Sequence, residues 1–282
     1  MPADHPLFPP TLAFTAEAAD SSSRLEWVAR CATAVEFSPD PDRLERLPEM
    51  IRPFAQAKLP VRFHTRYFQH ELGHADPRRA ASALEVHKRT LEAMAGLSEP
   101  VVTVHTGLDP AQPVREATIV ANLSRLVEHA RGLGIHVCLE NLRHGHSANP
   151  WSVLDWAAAS GAMITLDLGH ALGSALVQDG NCSMAEYVEV CANRLFEVHI
   201  YGREDEYGHH PIEDMARFEP ILPRLQDTRC TWWTIELHAP ADVLATEGLI
   251  RSALGIPPDR TAAHRGSGAV ALYQRDSAAG AV

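Results

Sequence analysis

Six short apolar segments of this chain each end in a histidine or a carboxylate residue. The end residues are His64, His105, Glu140, Asp167, His199 and Glu236. Hydrophobic, β-branched segments of this length are typical of strands that are buried on both faces. Because the carboxyl ends of parallel strands in a barrel meet on one face, we expect these six side chains to surround a single site.

Carboxylates and imidazoles that share one site are the usual ligands of a divalent metal ion. This mixture suits zinc, manganese or iron better than magnesium. Without a cation, Glu140, Asp167 and Glu236 would repel one another and would lose hydration at a partly buried site. A single strand-end histidine is more often a hydrogen-bonded loop residue, but six such ends in succession favour a metal site.

Three more residues near these segments are candidates for the site. His170 follows Asp167 by three residues in the sequence DLGH, and His209 lies in the sequence GHHPI after the apolar segment that contains His199. We include both histidines among the candidate metal ligands. Glu36 lies near the end of another apolar segment, TAVEF at residues 33–37. It either binds a substrate hydroxyl or is a solvated loop carboxylate.

The placement of these residues depends on an alternation of strands and helices along the chain. We predict strands, which alternate with helices along the chain, at residues 11–18, 33–37, 61–64, 101–105, 135–141, 162–170, 195–201 and 231–237. Eight such units predict an α/β fold, the (β/α)8 TIM barrel, with a single domain. An open doubly wound sheet is the alternative, but no glycine-rich phosphate loop follows the first strand.

Prolines and polar segments indicate how the connections are built. Pro48 and Pro53 predict two short helices after the second strand. A long polar loop is predicted after the seventh strand, ending at Ile212. Residues 1–256 form the predicted catalytic domain, and residues 257–282, which lack helical periodicity, form a predicted flexible C-terminal tail.

Charge and composition favour a small-molecule enzyme over a nucleic-acid-binding protein. The 282 residues carry a formal net charge of -11, and the loops after the strands contain few basic residues that could follow the phosphates of a duplex. Nucleic acid is therefore not the favoured partner. The N-terminal segment does not resemble a signal peptide, and no apolar run approaches the ~18 residues of a membrane span. We expect a cytoplasmic protein without a membrane segment.

The order of the motifs resembles that of the xylose isomerase-like TIM barrels, the superfamily that includes endonuclease IV (AP endonuclease family 2) and the sugar phosphate isomerases and epimerases. The resemblance covers roughly residues 11–255. Its motifs are HTRY at 64–67, HTG at 105–107, EN at 140–141, DLGH at 167–170, HIYGRED at 199–205, HHP at 209–211 and IELH at 235–238. Each motif alone is weak, but their order on these strands is fairly specific.

The resemblance implies ligands for a first and a second metal ion. In the family, one metal is held by four residues whose counterparts are Glu140, Asp167, His199 and Glu236. The nuclease branch adds two histidines that match His64 and His105, and the glutamate at position 140 then bridges two metals.

The nuclease branch also has a third metal, and here the chain departs from the pattern. His170 and His209 match the two histidines of that site. The aspartate of the pattern falls at Tyr207, which cannot supply a carboxylate, so Asp205 or Glu206 would have to replace it. The resemblance therefore implies one to three ions.

The two branches imply different reactions. In the isomerases a metal polarises a carbonyl while two glutamates, here Glu140 and Glu236, move a proton between adjacent carbons. His170 and Arg203 would hold the substrate. In the nuclease branch a metal cluster activates water for phosphodiester cleavage, and Tyr67 matches an aromatic residue near the bound strand.

We favour an isomerase or epimerase that acts on a sugar-like or phosphorylated small molecule, because the loops are short and Trp151, Tyr201 and Tyr207 can wall a compact pocket. Hydrolysis of a small substrate and lyase chemistry are open alternatives. So is an endonuclease IV-like multi-metal hydrolase, which His64 and His105 favour since a single-metal isomerase needs neither. Members of the family often form dimers or tetramers, so a homo-oligomer is also a candidate state.

Overall fold

A computed structural model describes residues 9–228 and 230–257 of the chain. The strands in this part of the chain are β1 (Thr11–Glu17), β2 (Ala34–Ser38), β3 (Val61–Thr65), β4 (Val101–Val104), β5 (His136–Glu140), β6 (Met163–Asp167), β7 (Leu195–Ile200), β8 (Arg203–Asp205), β9 (Gly208–His210) and β10 (Trp232–Ile235). All except β8 and β9 are parallel and close into a barrel in the order β1, β10, β7, β6, β5, β4, β3, β2. The predicted (β/α)8 barrel is confirmed.

Helices connect the barrel strands. They are α1 (Ser22–Cys31), α2 (Leu47–Met50), α3 (Arg52–Gln56), α4 (Pro77–Met94), α5 (Glu116–Gly132), α6 (Pro150–Ser160), α7 (Leu168–Gly173), α8 (Ala175–Gln178), α9 (Met184–Cys191), α10 (Leu222–Asp227) and α11 (Pro240–Ala253). Pro48 and Pro53 lie at the starts of α2 and α3, where a proline costs no helical hydrogen bond. The predicted division of this region into two short helices is therefore confirmed.

The interior of the barrel contains a polar layer below the strand ends. Arg62 on β3 donates a hydrogen bond to Glu197 on β7 at 3.2 Å, and the Thr234 hydroxyl donates to the other oxygen of that carboxylate at 2.7 Å. The hydroxyls of Thr103 and Thr165 lie 2.8 Å apart. Branched apolar side chains usually fill this space. Here a hydrogen-bonded layer supports the residues above it.

The segment after β7 differs from its prediction. The expected polar loop up to Ile212 instead contains an antiparallel hairpin, in which Glu204 of β8 is paired in register with His209 of β9. Gly208 at the turn has a φ of 110°, a conformation that favours glycine. The prediction of a plain loop is therefore wrong, and the hairpin places side chains of both strands near the barrel mouth.

Two other predictions concern the ends of the chain and membranes. Apart from Pro257, the predicted tail of residues 257–282 lies outside the described residues, so the boundary at residue 256 stays a prediction. Among the helices of the described residues, none combines the length and the apolar character that crossing a membrane requires.

Candidate metal centre

The first group of candidate ligands, the inner histidine cluster, consists of His64, His105 and Glu140. The Oε2 atom of Glu140 lies 3.0 Å from Nε2 of His105 and 3.2 Å from Nε2 of His64. The two imidazole nitrogens lie 3.2 Å from each other. Ligand atoms at the edges of a zinc tetrahedron are roughly 3.3 Å apart for bonds of about 2.0 Å. The three atoms are therefore spaced as ligands of one ion would be.

The second group, the inner carboxylate cluster, shares Glu140 with the first. It also contains Asp167, His199 and Glu236, and one ligand atom of each of the four lies within 4.8 Å of the others. The Nδ1 atom of His199 lies 3.4 Å from Oε2 of Glu140 and 3.5 Å from Oε1 of Glu236. Because both groups use the same glutamate, they form adjoining sites, and all six predicted strand-end residues come together there.

The third group, the outer cluster, consists of His170, Glu204 and His209. One oxygen of Glu204 lies 3.5 Å from Nε2 of His170, and the other lies 3.9 Å from Nε2 of His209. Both predicted histidines are therefore near a carboxylate. Glu204 was not among the predicted residues, and it supplies the carboxylate that Tyr207 cannot.

The residues proposed to replace that aspartate point elsewhere or are not in the cluster. Asp205 is paired with Arg203 and with His210, whose Nε2 atom is 2.8 Å away, so its carboxylate is already engaged. Glu206 is not part of the outer cluster, and Tyr207 is 86% exposed at the hairpin tip. The pairing of Glu204 with His209 across the hairpin is the signal that could have identified Glu204, but it depends on recognising the hairpin.

Most of the imidazoles are anchored through the nitrogen that does not face the other ligands of their own cluster. The anchored atoms and their acceptors are His105 Nδ1 with the Thr65 carbonyl (3.3 Å), His170 Nδ1 with the Asn141 carbonyl (2.9 Å), His209 Nδ1 with the Glu236 carbonyl (3.0 Å) and His199 Nε2 with Glu36 Oε1 (3.0 Å). A neutral imidazole that donates through one nitrogen presents a lone pair on the other. Metal-binding histidines nearly always have such an anchor.

The electrostatics of the inner clusters also fit a cation. Both carboxylate oxygens of Glu140, Oδ2 of Asp167 and Nδ1 of His199 are buried without a properly oriented hydrogen bond among the described residues. Burial raises the pKa of Asp167 well above its usual value, and the nearby Glu140 and Glu236 carboxylates raise it further. These groups therefore satisfy the donor set and the charge requirement of bound divalent ions.

The pKa values of the neighbouring imidazoles are raised as well, but against the effect of burial. Burial alone would lower the pKa of His64, but the carboxylates of Glu36 and Glu140 raise it well above its usual value. The pKa of His199 is raised for the same reason, with Glu36 and Glu236 as the largest contributions opposing its burial. In the absence of metal, the inner clusters are thus neutralised by protons.

Residues around the clusters hold the ligands in place. Asn141 pairs with the backbone of Asp167 through both its amide nitrogen and its amide oxygen, at 3.0 and 2.8 Å, which ties the ends of β5 and β6 together. Asp167 Oδ1 in turn caps α7 by accepting from the backbone N–H of His170 at 2.7 Å. Arg143 donates to the carbonyl of Glu204 at 2.6 Å and so fastens the hairpin to the loop after β5.

An aromatic side chain supports the outer cluster. The ring of Tyr201 is stacked on the imidazole of His209, with centroids 3.9 Å apart and planes within 5°, and it meets His170 edge-on. A Cβ atom on Gly169 would lie 2.2 Å from the Tyr201 ring. The glycine of the DLGH motif is therefore required for this packing.

The structure does not bring all predicted substrate-binding residues to the open side of the site. Glu36 is fully buried beneath the inner clusters rather than solvated, so it has no access to a substrate hydroxyl. The Tyr67 hydroxyl is bonded to Thr90 at 3.1 Å. The Arg203 side chain is 57% exposed and paired with Asp205. For Glu36, Tyr67 and Arg203, substrate contact therefore has no support from their placement.

A polar cavity of about 300 Å³ opens beside the outer cluster. Its lining includes Glu204, His209 and Glu236 together with Arg66 and His238. The last two were not among the predicted site residues. Because this cavity contacts members of both the outer and the inner carboxylate clusters, it is the candidate substrate pocket.

The fold and the site together define a class of protein, the (β/α)8 barrels that carry carboxylate–imidazole clusters at the carboxyl ends of their strands. Residues 25–256 match the family described as xylose isomerase-like TIM barrel. The chain belongs to this family, and the resemblance found in the sequence motifs is confirmed.

Similar proteins cover a large part of the chain. An uncharacterized protein of Methanocaldococcus jannaschii, MJ0008, is 31% identical over 167 residues, which are 59% of this chain and 71% of that protein. The 3-keto-D-glucoside 4-epimerase YcjR from E. coli aligns with a TM-score of 0.65 and 18% identity over 86% of this chain and 99% of its own. Endonuclease IV from Thermus thermophilus aligns with a TM-score of 0.66 and 17% identity over 88% and 100%. At these identities the two structures establish the fold alone.

Proposed function

We propose that this protein is a divalent-metal-dependent hydrolase that cleaves a phosphate ester of a small, sugar-like molecule. The observation that carries the proposal is the position of Glu140 between two groups of ligands. Its Oε2 atom lies within 3.4 Å of imidazole nitrogens of both inner clusters. Two adjoining ions that share a carboxylate are typical of phosphatases and nucleases.

Each group of residues would have its own part in such a reaction. Zinc, manganese or iron in the inner clusters would activate water and stabilise the developing charge on the leaving oxygen. The carboxylate of Glu236 lines the cavity. Although burial would raise its pKa, His199 and His64 lower it well below the usual value. Glu236 is therefore ionised in the metal-free site, and its carboxylate would be available to hold an ion or to accept a proton from water.

The cavity also contains groups that can bind an anion. Arg66 and His238 lie on its wall together with the clusters' carboxylates. The Arg66 guanidinium is only loosely paired with Glu17, at 3.9 Å, and can bind a phosphate oxygen by a charge-assisted hydrogen bond. The volume of about 300 Å³ suits a small molecule, and the net charge of -11 opposes binding of a duplex.

A sugar isomerase or epimerase is the second candidate, although the sequence alone ranked it first. It is favoured by Glu140 and Glu236, which both contact His199 in the inner carboxylate cluster and could exchange a proton with a substrate carbon. This reaction gives no role to His64 and His105, whose side chains are almost completely buried against Glu140. That burial is the reason why we rank hydrolysis above isomerisation.

The test is a comparison of two assays on one zinc- or manganese-loaded preparation. We expect release of 4-nitrophenol from bis(4-nitrophenyl) phosphate or of phosphate from sugar phosphates, and no such activity in Glu140→Gln. Solvent deuterium uptake into a panel of ketoses, without ester cleavage, would instead favour the epimerase. Cleavage of an abasic-site duplex with no activity on small esters would contradict the proposed substrate size.

A further inference from the structure

Glu36 is a buried carboxylate that contacts both inner clusters from below. Its Oε1 atom accepts a hydrogen bond from Nε2 of His199 at 3.0 Å. Its Oε2 atom lies 3.4 Å from Nδ1 of His64. The two imidazoles belong to different clusters, so the two oxygens of one carboxylate face one ligand of each.

The orientation of His199 indicates that Glu36 acts through the imidazoles. In its neutral form, which metal binding requires, His199 donates its Nε2–H group to Glu36, and its Nδ1 lone pair then faces Glu140 and Glu236. A neutral imidazole offers a lone pair on one nitrogen only. If Glu36 were itself a metal ligand at this position, His199 would lose its anchor or its own place among the ligands.

His64 faces Glu36 as well, but by a close charge contact and not by a hydrogen bond, because neither its Nδ1 atom nor Oε2 of Glu36 has a well-oriented partner among the described residues. Its Nε2 atom faces His105 and Glu140 at 3.2 Å each, while its Nδ1 atom faces Glu36 and, at 3.2 Å, Oε1 of Glu236. Glu36 lies on β2 and belongs to none of the three clusters defined above, although one ligand atom of each of Glu36, His64, His199 and Glu236 also lies within 4.8 Å of the others. The second strand thus contributes a support for the ligands of its neighbours.

We propose that Glu36 is a positioning residue that fixes the ring orientation and tautomer of His199 and His64 at once, so that its loss weakens both inner metal sites together. This proposal rests on the metal binding in the proposed function but not on hydrolysis. Carboxylates that accept from the outer nitrogen of a ligand histidine typically change metal affinity by about 10–100-fold when they are removed.

The experiment compares Glu36→Gln with Glu197→Gln in the full chain. Both glutamates are fully buried in the barrel interior, but Glu197 bonds to Arg62 and Thr234 and lies 3.8 Å from Nε2 of His199 without a hydrogen bond. A glutamine has one acceptor oxygen in place of two, so at least one imidazole loses its partner in Glu36→Gln. Zinc affinity is measured by competition with a chelator, and tautomers are measured by ¹⁵N NMR of labelled histidine in the zinc-loaded protein.

We expect zinc affinity to fall about 10–100-fold in Glu36→Gln, with an altered tautomer signal for at least one imidazole, while Glu197→Gln stays within a few-fold of the unsubstituted protein. A folded Glu36→Gln protein with unchanged zinc affinity would overturn the proposal. So would an equal loss in Glu197→Gln, or a loss of affinity with all tautomer signals unchanged. None of these measurements uses a substrate, so they remain informative if the hydrolase assay fails.

Discussion

The inner clusters and the outer cluster are built on different kinds of backbone. The inner ligands lie at the ends of barrel strands and are almost completely buried. The outer cluster takes two of its three residues from the hairpin, where the side chains of His209 and Glu204 are 17% and 25% exposed. Neighbouring strands fix the inner geometry, whereas the outer geometry depends on a few contacts such as Arg143 with Glu204.

This difference indicates that the inner clusters and the outer cluster have different roles. Rigid strand ends suit ions that must keep a fixed separation, because catalytic geometry tolerates errors of only about 0.5 Å. A partly exposed cluster at the cavity suits a group that contacts the substrate. The inner clusters should therefore determine whether the reaction occurs, and the outer cluster should adjust its rate.

The largest effect is expected from Glu140→Gln, because this substitution weakens both inner clusters. We expect loss of both inner ions and a fall in turnover of more than about 100-fold. This exceeds the loss that is typical when a residue that only holds a metal ligand in place is removed. Mass spectrometry measures the metal content of the variant, and an assay of the same sample measures its turnover. If Glu140→Gln keeps two ions per chain, the carboxylate does not connect the clusters.

A smaller effect is expected from Glu204→Gln, which removes the only carboxylate of the outer cluster. One ion should be lost while the inner ions remain, and turnover should fall by less than the ~100-fold expected for Glu140→Gln. The control is Asp205→Asn, since Asp205 is paired with Arg203 and His210 and not with the cluster. Equal losses in the two variants would mean that the hairpin acts as a whole and not through Glu204.

The affinity of the inner clusters for metal should increase with pH across the neutral range. The pKa values of His64 and His199 lie well above their usual values because of the surrounding carboxylates, which outweigh burial. The metal-free protein therefore binds more protons than the loaded protein, and metal binding must release them. Calorimetric titration in buffers of different ionisation enthalpy measures this release, and a pH-independent affinity would contradict it.

The smallest effect is expected from Gly169→Ala. The added methyl group would meet the Tyr201 ring at 2.2 Å, and overpacking of this kind typically costs about 1–3 kcal/mol. Denaturant unfolding measures the free energy, with Gly132→Ala as the control because that site has open space. If both variants have the same stability, Tyr201 moves freely and does not hold His209.

The inner clusters could be predicted from the sequence, whereas the outer one could be predicted only in part. His64, His105 and Glu140 each follow an apolar run, and a barrel brings all strand ends to one face. Glu204 lies in a polar segment without such a run, and its nearness to His209 arises from the pairing of β8 with β9.

The directions of individual side chains could not be predicted from the sequence either. Glu36 lies near the end of an apolar segment as the ligands do, but its carboxylate faces the outer nitrogens of His199 and His64. Arg203 lies in the segment after β7 as the family pattern implies, yet the hairpin turns its side chain toward Asp205. Sequence patterns locate a residue on an element, while the side-chain direction depends on tertiary contacts.

The most direct test of the account is an anomalous-scattering map of crystals grown with zinc or manganese. We predict one ion on each side of the Glu140 carboxylate and a third ion between His170, Glu204 and His209. A map with one ion, bound without His64 and His105, would contradict the adjoining inner sites and with them the proposed hydrolysis.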